Sequence, residues 1–193
     1  MSLTIPNLLS LLRMGLVPLF IIALVSDQPV QALVIFLLAG ITDALDGLIA
    51  RFWGQQTALG AYLDPMADKL LLVSAYATLA LPGLAIEPKI PVWISVLVIA
   101  RDVVIVIVSL VLYLAVGVKR FPPAKISKLT TTVQVIAALA TLVAGVMPGL
   151  TLTAQLLLYL AAALTVISGL NYLLLANRLA AAGTDGEGGP GHA

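Results

Sequence analysis

The chain has 193 residues, 61% of them hydrophobic and only 10% charged, with a formal net charge of +1. A mean hydropathy of +1.13 excludes an ordinary soluble domain and points to an all-α, polytopic membrane protein. Cysteine is absent and the single histidine, His192, lies in a glycine-rich tail, which argues against disulfides, thiolate metal sites and histidine chemistry; the charge balance gives no reason to expect nucleic acid.

Apolar runs and their breakers predict six helices, near residues 8–25, 30–50, 60–81, 91–118, 127–147 and 153–177. Each is about long enough to cross a hydrocarbon core of roughly 30 Å at about 1.5 Å per residue. Asp27 with Pro29, Pro82-Gly83, Pro88, Pro122-Pro123 and Pro148-Gly149 separate them. Pro18 falls inside the first helix, where neighbouring helices can re-satisfy the backbone. The N-terminus lacks a basic segment with a cleavage site, so the first run reads as a retained span. No repeat or linker divides the chain. One six-helix bundle over residues 1–178 is expected, with a disordered tail at 179–193.

Lysine and arginine set the orientation. With the N-terminus inside, Arg51, Lys119, Arg120, Lys125, Lys128 and Arg178 fall on the cytoplasmic side and only Lys89 on the other. Both termini are therefore expected in the cytoplasm. Trp53 and Trp93 read as interfacial anchors.

The junction of the second and third helices, DALDGLIARFWGQQTALGAYLDPMAD, holds four of the nine acidic residues. Asp43 and Asp46 are three apart and share a helix face; Asp64 and Asp68 are four apart and do the same. A short polar connection makes the two helices antiparallel neighbours with converging carboxylates. Each costs roughly 2.5–3.5 kcal/mol at membrane depth, and only Arg51 and Lys69 are near in sequence to neutralise them. Either some are protonated or divalent cations hold them together. Oxygen-only ligands favour a hard ion, Mg²⁺ or Mn²⁺, and two ions could also bind a diphosphate. Gly47 and Ala50 leave a groove for a phosphate or nucleotide, and Arg51 suits a bidentate phosphate contact. A helix-capping role fits Asp64 but not Asp43 and Asp46, which lie well before their helix ends.

The spacing Asp43-x2-Asp46-Gly47-x2-Ala50-Arg51-x8-Gly60-x3-Asp64-x3-Asp68 resembles the signature of the CDP-alcohol phosphatidyltransferases at every fixed position. Eight such residues coincide by chance about once in 10⁹ starts at average usage. The segments IPNLLSLLR, from Ile5, and ISKLTTTVQ, from Ile126, are also similar to family segments. The resemblance implies six transmembrane helices and attack of an alcohol on the β-phosphorus of a CDP-linked lipid, with release of CMP. It further implies Asp43, Asp46, Asp64 and Asp68 as metal ligands, Asp68 as general base, and Gly47, Ala50 and Arg51 around the CDP.

Within the family the chain looks like the glycerol-type branch, whose acceptors are glycerol 3-phosphate or phosphatidylglycerol. Arg101-Asp102 and Ile126-Ser127-Lys128 look more like cardiolipin synthase than phosphatidylglycerophosphate synthase. Lys125 and Lys128 have two open roles, acceptor-phosphate contact or positive-inside anchor. Arg101 and Asp102 lie mid-span, in a buried structural or acceptor-facing role. Arg13 either reaches the phosphate region or snorkels to the interface; Asn7 either borders the nucleotide or starts the first helix. A homodimer is common in the family. The rival readings are an intramembrane Mg²⁺-dependent prenyltransferase, which usually needs two separated aspartate motifs, and a divalent-cation transporter. Localisation in a bacterial inner membrane, with the site facing the cytoplasm, completes the expectation.

Overall fold

The structure, a computed structural model, describes residues 5–53, 58–116 and 125–185, with side chains at 7–45, 60, 66–108, 111 and 126–174. The helices are α1 (Ile5–Val25), α2 (Pro29–Trp53), α3 (Ala58–Leu79), α4 (Val92–Val116), α5 (Lys125–Val146) and α6 (Thr151–Asp185), with a 3₁₀ turn at Pro148–Leu150 before α6. No strand occurs among the described residues.

Proline and glycine place the breaks. Pro29 occupies the first position of α2, where its missing N–H costs nothing, and Pro91 directly precedes α4. Asp27 turns the chain between α1 and α2 with a left-handed φ of 54°, a conformation uncommon outside glycine. Its carboxylate accepts the Ala85 N–H at 3.0 Å, which ties this turn to the α3–α4 loop. At α6 the expected end is overrun: the helix continues past Arg178 to Asp185, through an alanine-rich stretch of high helix propensity. Residues 186–193 of the expected tail lie outside the described residues, as do Lys119 and Arg120.

Size sorts the side chains more than polarity does. Ala32, Ala39, Ala75, Ala137, Ala161 and others are fully buried, so helix backbones approach closely. Large aliphatics such as Leu152, Leu156 and Leu174 face outward and are more than half exposed. That distribution suits a lipid surround, because the outer face gains nothing from polarity. Polar bonds cross the interior. The Tyr76 hydroxyl donates to the Gln134 carbonyl at 3.1 Å, Ser95 Oγ to the Tyr76 carbonyl at 2.8 Å, and Gln134 Nε2 to Thr165 Oγ1 at 2.8 Å. They join α3, α4, α5 and α6.

Among the described residues, three helical stretches are long and apolar enough to cross a membrane: Asn7–Val25, Ile126–Val146 and Pro148–Leu174. Pro29–Leu45 is a shorter apolar helix. The chain is thus an all-helical integral membrane protein. Charged side chains interrupt the apolar runs of α2, α3 and α4, and these same interruptions build the site. Trp93, at the start of α4, is 55% exposed and pairs with Tyr159 across 6.3 Å, as an interfacial aromatic would; Trp53 has no described side chain.

α2 and α3 each pack mainly on α1 and touch one another little among the described residues. The two aspartate-bearing helices are therefore held side by side through α1.

Candidate active site

One cavity of about 660 Å³ opens among α2, α3, α4 and α5, at the end of the bundle that holds the start of α3 and of α5. Asp43, Asp68, Arg13, Arg101 and Lys128 all line it. Phe36, Leu71, Leu72, Ile105, Val135 and Ile136 supply an apolar wall. A pocket with a few convergent charges on an apolar wall is the general form of a small-molecule site.

Asp43 on α2 and Asp68 on α3 are about half exposed, at 48% and 50%. The guanidinium of Arg13, on α1, is fully buried and reaches both. Its Nη1 lies 2.8 Å from Asp43 Oδ1 and donates a hydrogen bond to Asp68 Oδ1. Arg13 thus does not snorkel; it bridges the two carboxylates from beneath. Its place seven residues before the end of IPNLLSLLRMGLVPLF gave no hint of those partners, because the bridge depends on α1 packing against both α2 and α3.

Lys69, expected to help neutralise the aspartate cluster, turns instead to α4. Its Nζ lies 3.5 Å from Asp102 Oδ2. Asp102 also accepts Arg101 Nη1 at 2.7 Å, and Arg101 Nη2 donates to Ser127 on α5 and Ser168 on α6, each at 2.7 Å. The buried polar role expected for Arg101 and Asp102 is therefore met by a network over four helices. Arg101 Nε is buried and has no hydrogen-bond partner among the described residues.

On α5, Ser127, Lys128, Thr131, Thr132 and Val135 all line the cavity. Their spacing of three and four places them on one helix face. That periodicity is legible in ISKLTTTVQ, although only Lys128 was expected at the site. Asn7 is buried, 1% exposed, and is not among the residues that line the cavity. The side chains of Asp46, Gly47, Ala50, Arg51, Asp64 and Lys125 lie outside the described ones.

Among the described residues no group of three acidic or histidine side chains assembles into a metal cage. The donor set still suits a hard cation. Asp43 and Asp68 offer oxygen atoms to the cavity.

Comparison with known proteins identifies the family. The family profile described as CDP-alcohol phosphatidyltransferase matches residues 3–167. The chain belongs to the CDP-alcohol phosphatidyltransferase family. It is 38% identical over 161 residues to a human protein named cardiolipin synthase (CMP-forming), covering 74% of this chain and 51% of that protein. The chain thus spans about half the length of that relative. A probable phosphatidylglycerophosphate synthase of Mycobacterium tuberculosis is 37% identical over 178 residues, covering 89% of this chain and 81% of that one. A CDP-diacylglycerol–glycerol-3-phosphate 3-phosphatidyltransferase of Haemophilus influenzae is 36% identical over 187 residues, with 91% and 95% covered. The family is generally one of divalent-metal enzymes.

Proposed function

We propose that this phosphatidyltransferase moves the phosphatidyl group of CDP-diacylglycerol to a glycerol-containing alcohol and releases CMP. The carrying observation is one cavity lined by Asp43 and Asp68 together with Arg101 and Lys128. Carboxylates for a divalent ion and cations for an anionic acceptor then face one reaction space. The acceptor is phosphatidylglycerol, as the relatives named cardiolipin synthase suggest, or glycerol 3-phosphate, as the Haemophilus name states.

Asp43, Asp46, Asp64 and Asp68 hold Mg²⁺, as two ions, with Mn²⁺ as a substitute. When bound, the metal polarises the phosphoryl oxygens and steadies the charge that develops on departing CMP. Asp68 takes the proton of the acceptor hydroxyl as its oxygen bonds to the β-phosphorus. The bond from that phosphorus to the bridging oxygen breaks, and CMP leaves with the electron pair. Gly47, Ala50, Arg51 and Asn7 surround the cytidine diphosphate. Arg101, which lines the cavity, receives the acceptor's phosphate with Lys128, helped by Lys125 and Arg13.

The chain would span a bacterial inner membrane six times, with both termini and the cavity on the cytoplasmic side. Acyl chains then stay in lipid beside the apolar wall while the nucleotide stays in water. A homodimer is compatible with this arrangement. The test is product analysis: purified protein, CDP-diacylglycerol and Mg²⁺, with each acceptor in a separate reaction. Cardiolipin as product selects phosphatidylglycerol, and phosphatidylglycerophosphate selects glycerol 3-phosphate. CMP release with neither would remove the glycerol-type assignment.

A further inference from the structure

On α3, Asp68 and Lys69 are consecutive, and both line the cavity. Their Cα atoms stand about 3.8 Å apart, and a helical turn of about 3.6 residues splays neighbouring side chains by roughly 100°. Asp68 accordingly meets Arg13 on α1, while Lys69 reaches Asp102 on α4. The second pair is loose. Lys69 Nζ lies 3.5 Å from Asp102 Oδ2, beyond the separation of about 2.7–2.9 Å usual for a charge-assisted hydrogen bond. Asp102 Oδ1 accepts Arg101 Nη1 at 2.7 Å, so the carboxylate keeps a close cation when Lys69 moves. Lys69 is 48% exposed, and its ammonium rides on a flexible stem. An ion pair of that exposure contributes little to stability, so an anion in the cavity can draw the ammonium away at small cost.

The proposed transfer, on which this inference rests, supplies such an anion. Both candidate acceptors contain a glycerol with a free hydroxyl at one end and a phosphate ester at the other. When Asp68 takes the hydroxyl proton, that phosphate lies a three-carbon chain away in the same cavity. We infer that Lys69 leaves Asp102 to bind the acceptor's phosphate, so that two successive residues of α3 grip the two ends of one glycerophosphate unit. Lys69 is then a specificity residue that the carboxylate of Asp102 parks on the cavity wall between turnovers. Its target is the glycerophosphate unit itself, whether that unit is free or forms the headgroup of a lipid.

The test is steady-state CMP release by the purified full chain in detergent with CDP-diacylglycerol and Mg²⁺, using glycerol 3-phosphate in one arm and phosphatidylglycerol in the other. In the arm where wild type turns over, Lys69→Met is expected to raise the acceptor KM about tenfold through loss of one charge-assisted hydrogen bond. The kcat and the KM for CDP-diacylglycerol should stay within about twofold of wild type, because the lost contact belongs to acceptor binding. Lys69→Arg keeps the charge and should hold the acceptor KM near the wild-type value. A shift with glycerol 3-phosphate identifies a free phosphate ester as the ligand, and a shift with phosphatidylglycerol identifies a lipid headgroup; either supports the inference. An unshifted acceptor KM would overturn it. So would an equal rise in both KM values, the result expected if Lys69 only masks Asp102 and the bare carboxylate repels both anionic substrates. In an Asp102→Asn background Lys69→Met should still raise the acceptor KM, and no further rise there would likewise overturn the inference. If the Asp102 variant fails to fold, the comparison of the two KM values in Lys69→Met decides alone. Wild-type CMP release with an unshifted acceptor KM in the variant removes the Lys69 role alone; no wild-type release with either acceptor removes the proposed transfer and the Lys69 role with it.

Discussion

Lys69 Nζ lies 3.5 Å from Asp102 Oδ2, and this pair joins α3 to α4 along the cavity wall. The same carboxylate accepts Arg101 Nη1 at 2.7 Å, so one acid serves two cations of very different exposure. Lys69 is 48% exposed and Asp102 13%. Lys69→Met should therefore change unfolding stability in detergent by no more than about 1 kcal/mol. Asp102→Asn should cost about 3 kcal/mol, because it strands the Arg101 charge in the interior. Equal effects from the two substitutions would contradict this division.

Asp68→Asn tests the proton acceptor. Loss of a positioned general base lowers turnover by about 10²–10⁴-fold, so CMP release should fall into that range. The unfolding midpoint should move little, since Asp43 still faces Arg13 and asparagine still accepts a hydrogen bond. A variant with full turnover would take Asp68 out of the chemistry.

Lys128 is exposed on the cavity wall, where its charge meets an acceptor phosphate in the proposed reaction. Lys128→Met should raise the KM for the acceptor about tenfold, in line with the loss of one charge-assisted hydrogen bond, and leave the KM for CDP-diacylglycerol unchanged. Steady-state kinetics with each substrate varied in turn separates these. A role confined to membrane orientation would move neither constant.

Much of this was legible in the chain. Proline and glycine breakers marked the helix ends everywhere but between α2 and α3, where a short polar connection did so, because each removes a backbone donor or favours a turn where it stands; an Arg-Asp pair inside an apolar run announced its own burial. The pairing of the charges was not legible. Nothing in the sequence around Arg13 points to Asp68, fifty-five positions away; the contact exists because α1 lies against both α2 and α3. Lys69 sits beside Asp68 in sequence, yet its partner is Asp102 on another helix. Sequence proximity had suggested the aspartate cluster, and tertiary packing redirected it. The continuation of α6 to Asp185 shows local alanine propensity prevailing over the glycines that suggested disorder.

The far end of the bundle offers a structural control. Gly145 on α5 lies under the α3–α4 loop, and a Cβ there would collide with Cγ1 and Cδ1 of Ile86. Gly145→Val should therefore destabilise the protein by about 1–3 kcal/mol through overpacking. Adding Ile86→Ala should restore part of that loss. CMP release per folded molecule should stay at the wild-type level, since Ile86 and Gly145 line a separate pocket with Asp27 and Pro29.

The most direct measurement is CMP release from CDP-diacylglycerol by the purified protein, with Mg²⁺ and either phosphatidylglycerol or glycerol 3-phosphate, compared with Asp43→Asn and Asp68→Asn run in parallel. The expected result is acceptor-dependent CMP release that chelation of the metal abolishes and both variants lose. Wild-type protein that is folded and metal-loaded but releases no CMP with either acceptor, or aspartate variants that release it at the wild-type rate, would contradict phosphatidyl transfer at this cavity.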